Sequence, residues 1–267
     1  MERESPAFDP HTPNVARLYD YFLGGKDHFP ADRAAAAKIL AVAPELRAAV
    51  RANRAFLRRA VRFLAESGIT QFLDIGTGLP AQENVHEVAG KVAPGARVVY
   101  VDRDPVVLVH ARALLAGRAG TTAAYGDLRK PDEILKNPEV MEAIDFDRPV
   151  GVLLTAIMHY LGDSDRPQEI VASLRDAVAP GSHLVLSHAT SEARAEAVDT
   201  VTAVYESTDA PLTPRSRERI AELFEGFELV DPGLVWLPEW RPDQADTIDF
   251  ADGPESSLLL GGVGRKG

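Results

Sequence analysis

Gln71–Pro80, QFLDIGTGLP, is the stretch on which the fold turns. The apolar run Phe72-Leu73-Asp74-Ile75 stops at Gly76-Thr77-Gly78, which reads as a buried strand entering a glycine turn, with a helix beyond Pro80. A residue without Cβ lets backbone approach a ligand closely and takes φ > 0 without a steric cost. The N–H groups opening the next helix point back at the same spot. A second apolar run, 97–101, ends in Asp102, 24 residues after Gly78. An acid at the tip of strand two, roughly 20 residues beyond the glycine turn, is placed to accept hydrogen bonds from a ribose diol. The chain is therefore expected to hold an adenosine-type ligand at the first crevice of a parallel sheet.

Two nucleotide classes compete for that crevice. The turn follows the GxGxxG pattern with Ala81 in the third glycine position, so a nicotinamide-dependent oxidoreductase is one reading. Asp74 argues against it, because a carboxylate before the turn repels pyrophosphate and suits a cationic ligand. The acid before GxG, the acid ending strand two and the later Gly126-Asp127-Leu128 together resemble the class I S-adenosylmethionine-dependent methyltransferases. The resemblance implies a glycine loop against the methionine part, Asp102 on the ribose and Asp127 facing the adenine amino group. Taken alone, Asp127 reads equally as a helix N-cap. The cofactor-binding set is Asp74, Gly76, Thr77, Gly78, Asp102, Arg103, Asp127, Leu128 and Thr155, joined by Arg17 and Tyr21 from the N-terminal helix.

That helix is expected to start at Thr12-Pro13, with Thr12 as N-cap and proline at the first helical position. Val15, Leu18, Tyr19 and Phe22 form an apolar face, and Gly24-Gly25 ends the helix. Asn14, Arg17 and Tyr21 line another face, followed by the loop Gly24–Phe29, GGKDHF. The run from Pro13 to Phe29 is similar to the opening signature of an actinobacterial family of S-adenosyl methyltransferases. Arg51–Arg54, Asp74–Pro80, Tyr100–Asp102 and Met158–Tyr160 resemble the same family, which covers about residues 12–265. The resemblance implies the fold and the cofactor, S-adenosylmethionine, and leaves the methyl acceptor open.

Length and composition bound the rest. The 267 residues suffice for one large domain, and a hydrophobic content of 45% with 26% charged residues is ordinary for a globular protein. A net charge of −11 disfavours nucleic acid as a partner. No apolar run approaches the ~18 residues of a membrane helix, and the N-terminus lacks the apolar core of a signal peptide. There is no cysteine, which excludes disulfides, thiolate catalysis and cysteine-ligated metal and fits a cytoplasmic setting. No HExxH or close His/Asp triplet marks a metal site, and no GxSxG marks a hydrolase.

The predicted architecture is α/β: a Rossmann-like class I methyltransferase sheet of seven strands, the last antiparallel, with helices on both faces. Residues 1–68 form an N-terminal helical lid, with 1–11 as a loose arm, and 69–267 the cofactor-binding domain, in one compact unit. Phe227–Val230 and Leu234–Leu237 read as one bent strand six. A helix over 44–67 carries Arg47, Arg51, Arg54, Arg58, Arg59 and Arg62, a basic side that either pairs with acidic neighbours or receives an anionic partner. His159, just past strand four, is the candidate general base, and equally reads as a core histidine; Tyr21, Asp27 and His28 on the lid follow it. The predicted function is methyl transfer to a small-molecule acceptor; the alternative is a non-catalytic protein that binds the cofactor as a sensor or partner subunit.

Overall fold

The computed structural model describes residues 9–81, 83–115, 118–193, 195–244, 246, 250 and 253–267, so most of the predicted loose arm lies outside the described residues. Three helices come first: α1 (Val15–Leu23), α2 (Pro30–Val42) and α3 (Leu46–Glu66). Strands and helices then alternate through β1 (Gln71–Ile75), α4 (Val85–Val92), β2 (Arg97–Asp102), α5 (Pro105–Leu115) and β3 (Thr121–Tyr125). The helices α6 (Pro131–Leu135) and α7 (Pro138–Ala143) lead to β4 (Gly151–Thr155), α8 (Pro167–Ala177) and β5 (His183–Ala189). Next come α9 (Ala195–Tyr205), α10 (Arg217–Ala221), β6 (Glu228–Leu229), β7 (Val235–Trp236) and β8 (Leu259–Arg265).

The sheet runs β3-β2-β1-β4-β5-β8-β6, with β7 also paired to β8. Strands β1 to β5 are parallel, and β8 is antiparallel to β5. The expected seven strands become eight. The bent strand six is two separate strands, each antiparallel to β8. Pro232 supplies no N–H to a ladder and Gly233 takes left-handed backbone (φ +90°), so pairing breaks between them.

Alternation along the strands divides the core in two. Phe72, Val98, Tyr100, Leu153 and Val185 pack with α3, α4 and α5. Leu73, Ile75, Val99, Val101, Val152 and Leu154 pack with α6, α7, α8 and α10. The period of two puts Asp74 on the α3 side of β1. On α3, Phe56, Leu57, Ala60, Val61 and Leu64 are buried, and each of the larger side chains contributes about 1.5–3 kcal/mol by leaving water. The basic side of α3 is largely an internal clasp. Arg58 and Arg59 grip Asp246, Arg62 pairs with Asp243, and Arg59 also donates to the carbonyls of Leu237 and Trp240.

One helix start differs from the sequence pattern. Asn14, not Thr12, caps α1: its side-chain oxygen accepts from the N–H groups of Ala16 and Arg17, while the Thr12 hydroxyl turns back to Asp9. Ser216 caps α10, its hydroxyl accepting from the Arg219 N–H. Helices α1 and α2 are joined through Asp32, whose fully buried carboxylate accepts from Arg17 Nε at 2.9 Å, the Asn14 N–H at 2.9 Å and the Phe29 N–H at 2.7 Å. Among the described residues no helix is long and apolar enough to cross a membrane.

Breaking a buried pair strands the remaining charge, at about 3–5 kcal/mol. Asp32→Ala is therefore expected to lower unfolding stability by that amount in a denaturant titration; a loss below about 1 kcal/mol would contradict the pairing.

Candidate functional site

Parallel pairing brings the ends of β1, β2, β3 and β4 to one edge of the sheet, and a cavity of about 290 Å³ opens there. Asp74, Gly76, Thr77 and Gly78 line it from β1 and its turn. Asp102 and Arg103 come from β2, Asp127 and Leu128 from beyond β3, and Thr155 from β4. The N-terminal helix closes it with Asn14, Val15, Ala16, Tyr19 and Leu23.

The glycine turn is tied to the end of β2. The N–H of Gly76 donates to the Val101 carbonyl at 2.8 Å, and the N–H of Gly78 donates to the Asp102 carboxylate at 2.9 Å. Gly76 has φ +73°, and a Cβ there would lie 2.4 Å from the Ile157 side chain. Gly78 has φ +66° with open space where a Cβ would stand. The turn thus requires glycine for conformation at both positions and for room at the first.

Two buried carboxylates face this turn. Asp74 accepts from the Thr77 hydroxyl at 3.1 Å, and burial pushes its pKa up to about 6. Asp102 accepts from the N–H groups of Gly78 and Asp104, and burial likewise pushes it up to about 6. Both are anionic at neutral pH, in a setting where each gains by meeting donors or a cation. Asp127 differs. Burial would raise it, but the hydrogen bonds and charge of Arg129 outweigh burial and hold it below the usual carboxylate range. Its nearest partner is thus already a cation, which the sequence pattern did not reveal.

The structure separates five predicted residues from this group. Arg17 and Tyr21 are not among the lining residues. Arg17 turns to Asp32 and to the Thr12 carbonyl, and Tyr21 meets His28 edge-on with the Arg47 guanidinium over its ring. One helical face cannot serve both a buried ion pair and the cavity; Tyr19, on the face read as apolar, is the aromatic of α1 that reaches the cavity. His159 lines a second, smaller cavity of about 100 Å³. Asp27 and His28 line neither cavity; they meet His110 and the Gly25 carbonyl.

Tyr19, Asn53, Ala156 and Tyr160 line both cavities. A hydrogen-bond chain holds this partition. Asn53 donates to the Tyr19 hydroxyl at 2.9 Å, that hydroxyl donates to the Val50 carbonyl at 3.2 Å, and Ser187 donates to Asn53 and receives the Ala156 N–H. In the sequence Asn53 enters only within the run Arg51–Arg54. Asp209, in the loop after α9, had no signal at all. It accepts from the Asn14 side chain and the Val15 N–H on α1 and from Arg103 at the tip of β2, so it joins the roof of the cavity to its floor. No group of His, Cys, Asp and Glu able to hold a metal ion occurs among the described residues.

The family model for S-adenosyl methyltransferases matches residues 1–267, and the chain belongs to that family. A Thermobifida fusca protein solved as a candidate methyltransferase is 42% identical over 100% of this chain and 99% of its own, with a TM-score of 0.90. A DUF574 family protein from Streptomyces avermitilis is 40% identical over 97% of this chain and 99% of its own, with a TM-score of 0.91. No curated protein sequence matches. The α/β fold, the methyltransferase class and S-adenosylmethionine as cofactor, expected from the motifs, are those of the family.

Two glycine substitutions separate turn chemistry from general effects. Gly76→Ala must strain the left-handed backbone and strike Ile157, so calorimetry should find cofactor affinity reduced tenfold or more. Gly90→Ala, in exposed helical backbone with open space, should leave affinity unchanged and raise stability by up to about 1 kcal/mol. Equal affinities for the two variants would contradict the role given to the turn.

Proposed function

We propose that this S-adenosyl methyltransferase passes its methyl group to a small-molecule acceptor, with the larger cavity holding the cofactor. In this reading residues 1–68 form a helical lid over the Rossmann-like unit of residues 69–267. The observation that carries it is the pair of buried carboxylates, Asp74 and Asp102, at the tips of adjacent parallel strands around one glycine turn.

When bound, S-adenosylmethionine supplies a methyl group already activated by a sulfonium. The chain's own work is to bind, orient and exclude water. Asp102 uses its remaining lone pairs for the ribose hydroxyls. Asp74 gives the cationic methionine end a counter-charge, and the backbone of Gly76, Thr77 and Gly78 lies against it. Asp127 and Leu128, with Arg129 holding the carboxylate ionised, form the adenine end. Thr155 and Arg103 complete the walls. Asp209, bonded to both α1 and Arg103, fastens the lid. Positioning of this kind supplies much of the acceleration of a displacement at an activated carbon, and a base is required only where the acceptor must lose a proton.

Titration calorimetry with S-adenosylmethionine, S-adenosylhomocysteine and NAD tests the cofactor site. The two sulfur ligands should bind and NAD should not. Asp102→Ala removes charge-assisted hydrogen bonds worth about 1.5–3 kcal/mol, so affinity should fall roughly ten- to a hundredfold; unchanged affinity would remove the ribose assignment. The pH dependence has a definite sign. In the free protein both carboxylates titrate near pH 6. The ligand favours their ionised forms, so binding below pH 6 must expel protons. Affinity should be level above about pH 7 and weaken as pH falls through 6, and an affinity that strengthens on acidification would contradict the assignment.

A further inference from the structure

The smaller cavity has a different character from the larger. Phe22, Leu46, Val50, Val201, Leu212 and Leu259 supply much of its wall. Glu45 is the one charged side chain among the described residues that line it, half-buried at the start of α3. It shares Tyr19, Asn53, Ala156 and Tyr160 with the larger cavity. An apolar cavity of roughly 150 Å³ accepts a benzene ring. About 100 Å³ therefore takes one ring with an edge projecting across the shared boundary.

His159 stands among these walls, with the hydroxyl-bearing Tyr19, Tyr160, Thr190 and Tyr205 also lining the cavity. Its Nδ1 lies 3.1 Å from the Ala189 backbone nitrogen. A backbone N–H only donates, so Nδ1 is the acceptor and a neutral ring carries its proton on Nε2. The neighbouring His188 is fixed in the opposite sense: its Nδ1 donates to the Ala189 carbonyl at 2.7 Å, and its Nε2 accepts from Arg215 at 3.1 Å. Burial first, and then the nearby His188 and Arg215, hold His159 well below the usual histidine range. His159 is thus a hydrogen-bond donor, and the general-base role expected from its position does not fit its geometry.

We propose that the smaller cavity seats the methyl acceptor, an uncharged molecule built on a single ring, with an oxygen that accepts a hydrogen bond from His159 Nε2–H. This rests on reading the larger cavity as the cofactor's. A charged ring of either sign would leave water for walls that are mostly apolar, and Glu45, half-buried and already engaged, does not offset that cost. Tyr19 and Tyr160 stand where the projecting edge meets the larger cavity. His159 acts here as a positioning residue.

The test uses the full chain, first titrated with S-adenosylhomocysteine by calorimetry and then, saturated with it, with four one-ring probes: p-cresol, toluene, benzoate and benzylamine. The expected result is saturable binding of p-cresol at millimolar concentration or below, about tenfold weaker binding of toluene, and no binding of either ion. His159→Phe should bring p-cresol down to the level of toluene and leave toluene unchanged. Leu212→Trp should abolish binding of both neutral probes while S-adenosylhomocysteine affinity stays within twofold. Absence of p-cresol binding, or benzoate or benzylamine binding as well as p-cresol, would overturn the proposal. So would retained p-cresol binding in Leu212→Trp. If Leu212→Trp also loses S-adenosylhomocysteine, the His159→Phe comparison decides, and loss of both neutral probes or of neither overturns it. Failure of S-adenosylhomocysteine to bind the unaltered chain would instead remove the cofactor reading, and this proposal with it.

Discussion

Parallel pairing obliges β1 through β5 to end on one edge of the sheet, and the rest of the site depends on that constraint. Strand tips carry backbone groups that the ladder no longer satisfies, and here they end beside a turn built from Gly76 and Gly78. The Gly78 N–H goes to Asp102, so the acid that marks the second strand also sets the shape of the first turn. Two carboxylates placed so close, and this deeply, would be a liability in an ordinary core. Their arrangement is intelligible as a site held ready for a ligand with hydroxyls and positive charge.

Much of this is legible in the order of residues alone. The succession of apolar runs predicts the parallel sheet, because a buried strand between two helices must be apolar on both faces. The glycine turn, Asp74 and Asp102 are legible for a related reason: their spacing depends on strand length and turn geometry, which are local. The same holds for Asp127 and Leu128, just beyond β3, and Thr155, which ends β4; all three line the larger cavity.

What is not legible depends on contacts distant in sequence. Arg17 and Tyr21 share a helical face, yet that face turns toward α2 and Arg47, because Asp32 gathers Arg17 together with the starts of both α1 and α2. Asp209 has no motif; its role follows from a fold that lays its loop beside both α1 and the tip of β2. The basic side of α3 cannot be assigned from its own residues, since its partners Asp243 and Asp246 lie some 180 residues further on. His159 shows the limit most clearly. Position suggests a base, but the proton's place on the ring is decided by a backbone group of β5.

Tyr19 belongs to two rooms at once. It stands on α1, its hydroxyl is fastened to α3, and its ring is wall to both cavities. A wall common to two spaces cannot move for one without moving for the other. Whatever settles in the larger room therefore helps to set the dimensions of the smaller, and by thermodynamic reciprocity an occupant of the smaller room alters the hold of the larger by the same factor. The two rooms share a wall that includes the rings of Tyr19 and Tyr160, so the molecule needs no long-range rearrangement for one occupant to sense the other.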